Sequence, residues 1–69
     1  MKLDYHPDTD QLYIDLSSKP SVDSVEVSTG VVLDYDAEGN ICGIDIDHAS
    51  RKLDLTSLQT SHIPMPVAA

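Results

Sequence analysis

The sequence predicts a mainly β protein, α+β at most, built as an antiparallel meander of about five strands in two similar hairpins plus one short C-terminal helix. Apolar and polar residues alternate along most of residues 1–46, which is the period of a strand with one buried face. Short segments rich in turn residues separate these runs. The chain also repeats itself at an offset of 30 residues, because Leu3-Asp4-Tyr5 and Ile14-Asp15 recur as Leu33-Asp34-Tyr35 and Ile44-Asp45.

The first hairpin is predicted around a loop at residues 7–10, where Pro7 presets the backbone for a type I turn. A strand pair must keep its apolar residues on one face, and this requirement sets the register. The resulting pairs are Tyr5 with Leu12, Leu3 with Ile14, and Lys2 with Asp15.

The second hairpin follows the same rule, with residues 37–40 as its loop and Gly39 available for a positive φ. The predicted pairs are Tyr35 with Cys42, Leu33 with Ile44, and Val31 with Ile46. Between the hairpins, residues 17–21 form a loop by composition. Apolar and polar residues alternate at Val25-Glu26-Val27, which predicts a short third strand. Thr29-Gly30 is the predicted turn between this strand and the fourth, which begins at Val31.

The C-terminal part of the chain predicts a short helix that starts near Ser50, because Ala49, Leu53 and Leu58 form an apolar stripe. His48 is interpreted as a strand-end or helix-entry residue. Residues 62–69 contain two prolines and are expected to form a flexible tail. Residues 1–61 are therefore predicted to form one small β-rich domain.

The composition limits the possible partners. The 69 residues include 4 Lys and Arg against 12 Asp and Glu, a formal net charge of −8. Phosphate contacts need clustered basic residues, so neither nucleic acid nor an anionic membrane is an expected partner. No signal peptide or membrane-spanning run is visible, and Cys42 is the single cysteine, which fits a cytoplasmic protein.

The two faces of the predicted sheet differ strongly. One face is apolar and too wide for one short helix to cover, so either the sheet curls strongly on itself or two copies pack face to face or edge to edge. Of these alternatives, a homodimer is the prediction. The other face is acidic and is predicted to bind a basic protein partner; the ordinary alternative is a solvated outer face. The predicted partner-binding residues are Asp4, Asp15, Glu26, Asp34, Asp36, Asp45 and Asp47.

The residues do not predict an enzyme, a cofactor or a metal site. Ser50 and His48 are two residues apart on one segment and lack the flanking glycines of a nucleophile elbow. Carboxylates at alternate strand positions are too far apart for tight chelation without a third group. Cys42 is interpreted as a small core residue rather than a nucleophile. A divalent-metal or small-ligand binding domain remains the alternative function.

The residues that carry these hairpins also resemble a known family. The segments Tyr5-His6-Pro7, Leu12-Tyr13-Ile14, Gly30-Val31-Val32-Leu33-Asp34, Gly39-Asn40-Ile41 and Ala49-Ser50 resemble the small bacterial proteins of the domain of unknown function 2283 family. Thr29 stands where that family is expected to have proline. The resemblance implies a small, free-standing cytoplasmic domain, and it implies no catalytic or binding residue. Relatives of this kind often look like one half of a two-gene unit with another small protein.

Overall fold

The structure, a computed structural model, describes residues 1–64 of the chain. Of the predicted tail, residues 62–64 are in neither a helix nor a strand, and residues 65–69 lie outside the described part. The chain forms one sheet of five antiparallel strands followed by one short helix. The elements are β1 (Lys2–His6), β2 (Gln11–Asp15), β3 (Asp23–Ser28), β4 (Val31–Tyr35), β5 (Ile41–Ile46) and α1 (Ala49–Lys52).

The predicted fold class is confirmed. The strand order is β1-β2-β5-β4-β3, so β2 and β3 are the only consecutive strands of the described chain that are not neighbours in the sheet. Residues 16–22 carry the chain from β2 to the far edge of the sheet. His48 begins α1 in the left-handed conformation, at φ 51°, which confirms its interpretation as a helix-entry residue.

The predicted register of the first hairpin is confirmed over all of β1 and β2. Tyr5 lies opposite Leu12, Leu3 opposite Ile14, and Lys2 opposite Asp15. In the second hairpin the two inner pairs are also confirmed, Leu33 with Ile44 and Val31 with Ile46.

The predicted pair of Tyr35 with Cys42 is wrong, because Tyr35 lies opposite Ile41 and the register shifts there. The cause is Asp36. Its backbone N–H donates to the carbonyl of Asn40 at 2.8 Å. Its carboxylate accepts from the backbone N–H groups of Glu38 and Asn40, at 2.9 and 3.0 Å. These bonds close a loop of residues 37–39, one residue shorter than the predicted one, and Cys42 becomes the extra residue of β5 that has no partner in β4.

The two hairpins are arranged around an approximate two-fold axis normal to the sheet. The offset of 30 residues maps Ile14 onto Ile44, and these two residues lie opposite each other in β2 and β5. The same offset maps Leu12 onto Cys42 and Leu16 onto Ile46. Leu12 lies opposite Ile46, and the corresponding residues Cys42 and Leu16 are joined by a backbone hydrogen bond of 2.9 Å. Both hairpins present their apolar residues to the same side of the sheet. A two-fold axis in the plane of the sheet would place them on opposite sides, so the axis is normal to the sheet.

The buried core is small. Leu12, Cys42, Ile46 and Ala49 are its buried apolar residues, and no large side chain of the described residues is fully buried. Ala49 brings α1 onto the apolar face at the junction of β2 and β5. Residues 53–58 continue across Leu3 and Ile14 and leave an open groove of about 390 Å³ between themselves and β1–β2.

Candidate functional site

The face opposite the core, here called the outer face, carries most of the acidic residues that the sequence predicts as a partner surface. Strand pairing sets its side chains in two rows across the sheet. One row consists of Asp4, Tyr13, Asp45, Val32 and Glu26. The next consists of Lys2, Asp15, Gly43, Asp34 and Ser24. Five carboxylates thus share this face with one lysine in these two rows.

Asp34 is held at the centre of the outer face by two hydroxyl groups. The Tyr13 hydroxyl donates to one carboxylate oxygen at 2.7 Å, and the Ser24 hydroxyl donates to the other at 2.6 Å. Tyr13 reaches Asp34 across β5 because Gly43 lies between them without a side chain. A Cβ built on Gly43 would lie 2.0 Å from the Tyr13 hydroxyl oxygen. Donation to Asp34 and burial raise the pKa of Tyr13 to about 12, since both disfavour the phenolate.

Two further carboxylates of the outer face have a neutral or a histidine neighbour, whereas Asp15 lies opposite Lys2. The Gln11 side-chain amide donates to Asp45 at 2.8 Å. The His6 Nε2 atom lies 3.6 Å from a carboxylate oxygen of Asp4. Hydrogen bonds therefore fix the geometry of Asp34 and Asp45 without cancelling their charge, and the outer face stays strongly negative at neutral pH.

Asp36 is not exposed on the outer face, and the prediction of an exposed position for this residue is wrong. It is 6% exposed, and its carboxylate closes the loop between β4 and β5 as described above. Because β4 ends at Tyr35, Asp36 belongs to the loop, where the strand alternation on which its placement depended no longer applies.

Asp47 follows β5 at the edge of the outer face and is exposed. One of its carboxylate oxygens lies 3.4 Å from the His48 Nδ1 atom. Its backbone carbonyl accepts from the Lys52 ammonium group at 2.7 Å, and the carbonyl of Thr29 accepts from the same group at 2.9 Å. Lys52 therefore ties α1 to the turn between β3 and β4.

The sequence patterns predict no role for Asp10, which joins the first hairpin to α1. Its carboxylate accepts from the Ser50 hydroxyl at 2.6 Å, from the Ser50 backbone N–H at 3.0 Å and from the Tyr5 hydroxyl at 2.8 Å. Its backbone carbonyl accepts from the N–H of Ala49 at 2.8 Å. The hydrogen bonds from Ser50 and Tyr5 lower the pKa of Asp10. One signal in the sequence marks the position, since the repeat aligns Asp10 with Asn40 at the end of the other loop.

This cluster does not make Ser50 a nucleophile. The Ser50 hydroxyl donates a hydrogen bond to the Asp10 carboxylate, which also accepts from the Ser50 backbone N–H in the first turn of α1. The nearby His48 ring faces Asp47, not Ser50. A serine nucleophile needs a base that accepts its proton at neutral pH, and a carboxyl with a lowered pKa is a poor one. The arrangement is that of a structural clasp.

Cys42 lies in the core and is 3% exposed. Burial raises the pKa of its thiol, and the carboxylates of Asp34 and Asp36 raise it further. A thiol of this kind remains protonated at neutral pH, in keeping with the interpretation of Cys42 as a core residue.

Metal ligands do not converge in the part of the chain that the structure describes. Among residues 1–64, no group of three or more His, Cys, Asp and Glu side chains is arranged to hold a metal ion. Within the same residues, no helix is long and apolar enough to cross a membrane.

Comparison with known proteins adds one finding. The model of a family described as "Protein of unknown function (DUF2283)" matches residues 2–50. These residues include all five strands and the first two residues of α1. No curated protein and no solved structure matches the chain.

Proposed function

The chain belongs to the DUF2283 family of proteins of unknown function, and from this premise we propose that it is a non-enzymatic interaction module. In this proposal it associates with a second copy of itself through apolar surface and presents the outer face to a basic protein. The observation that carries the proposal is the contrast between the two faces of one thin sheet.

The apolar side supports self-association. Leu3 is 47% exposed, Tyr5 39% and Val25 44%, although all three belong to the side that carries the core. Leu58, which lines the groove over β1 and β2, is 74% exposed. A domain of this size buries only about 60% of its unfolded surface, and a partner subunit is a common source of further burial.

The outer face supports a basic partner. Asp4 and Glu26 are exposed on the two edge strands, and the half-buried Asp34 and Asp45 lie between them. Because hydrogen bonds hold Asp34 and Asp45 in place, a cationic side chain would meet carboxylates that need little further ordering. Complementary charge of this kind speeds association and selects the partner more than it adds affinity.

Self-association is tested by the mass of the protein in solution. We expect light scattering at micromolar concentration to give twice the chain mass of 7.5 kDa. Dilution should return the mass to that of the monomer, since the interface is a reversible one. A monomeric mass across the whole concentration range would contradict this part of the proposal.

The basic partner is tested with a lysine-rich peptide as the probe, titrated at low and at high salt. Binding should weaken as salt rises, and Asp45→Asn should weaken it more than Asp8→Asn does. Both variants remove one negative charge, but Asp45 lies on the outer face and Asp8 in the loop after β1. Equal losses in the two variants would show that only the net charge matters and would contradict a role for the outer face.

A further inference from the structure

The outer edge of β1 differs from the other edge of the sheet. All five residues of β1 are exposed, and their register with β2 runs without interruption from Lys2 to His6. Among residues 1–64, no strand pairs with the far side of β1. The opposite edge strand, β3, has an irregular register between Glu26 and Ser28. Irregularities of this kind protect an edge from further pairing, and β1 lacks one.

The approximate two-fold axis indicates that the edge of β1 is suited to one more strand. The offset of 30 residues maps β1 onto β4, and the outer edge of β4 is already paired with β3. On β4, Leu33 faces Val25, and Asp34 faces Ser24, whose hydroxyl donates to it. The corresponding residues of β1 are Leu3 and Asp4. A strand on β1 would therefore place an apolar residue opposite Leu3 and a donor opposite Asp4.

The sequence of β1 itself meets this requirement. When two copies of β1 run antiparallel with Leu3 opposite Leu3, Lys2 of each copy lies opposite Asp4 of the other. Met1 then lies opposite Tyr5, and apolar residues stay on one side because opposed residues share a face. The two neighbouring registers that keep the faces aligned set Lys2 opposite Lys2 or Asp4 opposite Asp4, and like charges directly opposite each other are destabilising.

We propose that two copies of the chain join edge to edge through β1, antiparallel and with Leu3 opposite Leu3, so that their sheets become one continuous sheet. This inference rests on the proposed self-association and specifies its surface. Met1 is 86% exposed in the single chain. In the dimer, Met1 and Leu3 of one copy lie next to the groove that Tyr5 and Leu58 line in the other copy. The seam thereby buries apolar side chains as well as pairing backbone groups.

The first test uses a cysteine at the centre of the seam. Directly opposed residues of antiparallel strands have Cα atoms about 4.5–5.5 Å apart, within the range that a disulfide spans. Leu3→Cys should therefore form a covalent dimer under mild oxidation. Val25→Cys is the matched control, because Val25 has nearly the same exposure on the other edge strand and should stay non-covalent. The unaltered chain controls for the buried Cys42.

The second test uses the charges of the seam. Asp4→Lys alone sets lysine opposite Lys2 twice, and Lys2→Glu alone sets glutamate opposite Asp4 twice. Each variant should dimerise roughly ten-fold or more weakly than the unaltered chain. An equal mixture of the two should recover the dimer, because every pair across the seam is then of opposite charge. Recovery by mixing also shows that both variants are folded.

The outcomes separate this inference from the proposal on which it rests. A dimer that survives Asp4→Lys, together with no covalent dimer from Leu3→Cys, would overturn the β1 seam and leave self-association through another surface. An unaltered chain that is monomeric at all concentrations would overturn both.

Discussion

Gly43→Ala is expected to lower the free energy of unfolding by about 1–3 kcal/mol, although alanine normally stabilises a strand relative to glycine. The added Cβ would lie 2.0 Å from the hydroxyl oxygen and 2.6 Å from the ring Cζ atom of Tyr13. Tyr13 must swing away, which breaks its hydrogen bond to Asp34. Urea unfolding followed by circular dichroism measures the loss as a lower midpoint at unchanged slope.

The matched control is the same substitution in a Tyr13→Ala background. With the ring removed, the Cβ added at position 43 meets no tyrosine, and Gly43→Ala should become neutral or stabilising by up to about 1 kcal/mol. The difference between the effects of Gly43→Ala in the two backgrounds is the coupling free energy between positions 13 and 43. An equal loss in both backgrounds would place the cause outside the contact with Tyr13.

Asp10→Ala is expected to release α1 from the sheet and to lower the melting temperature by several degrees. The substitution removes the acceptor of three hydrogen bonds, two from Ser50 and one from Tyr5. It also places alanine at φ 56°, a left-handed conformation in which aspartate is tolerated better. Asp8→Ala in the same loop is the control and should change the melting temperature little.

The effect of Asp10 should also depend on pH. Its pKa is lowered in the folded protein, because Ser50 and Tyr5 donate to the carboxylate. A carboxyl of this kind stabilises the fold above its unfolded pKa, which is about 3.9, and loses that contribution as the pH falls through the folded pKa. The difference in stability between the unaltered chain and Asp10→Ala should therefore shrink below about pH 4. A difference that stays constant from pH 7 to pH 3 would contradict this account.

Most of the sheet follows from local patterns in the sequence. The requirement that apolar residues share one face is enough to predict the pairs of Leu3 with Ile14 and of Leu33 with Ile44. A slip of one residue would move every apolar side chain of a strand to the wrong face. The rule that apolar residues share one face fails at the end of β4, where hydrogen bonds of Asp36 close a shorter loop and leave Cys42 as an extra residue of β5. Such bonds depend on the conformation of a few turn residues and leave no periodic signal.

The contacts between distant segments are harder to predict. Asp10 and Ser50 are separated by 40 positions, and neither belongs to a motif that indicates the other. The sequence predicts the outer face as a set of carboxylates, but not the Tyr13 and Ser24 hydroxyls that hold Asp34. Gly43 carries a usable signal, since a glycine inside a strand often marks the close approach of another group.

The pairing of β2 with β5 has a consequence for the order in which the molecule folds. Each hairpin closes over a short loop, but β2 meets β5 only after some 30 intervening residues have been brought together. The clasp between Asp10 and Ser50 closes over a still longer stretch. During synthesis the first hairpin must therefore wait, with its apolar side uncovered, until the last strand and the helix have left the ribosome. Docking of two preformed halves, rather than growth from one end, is the expected rate-limiting event.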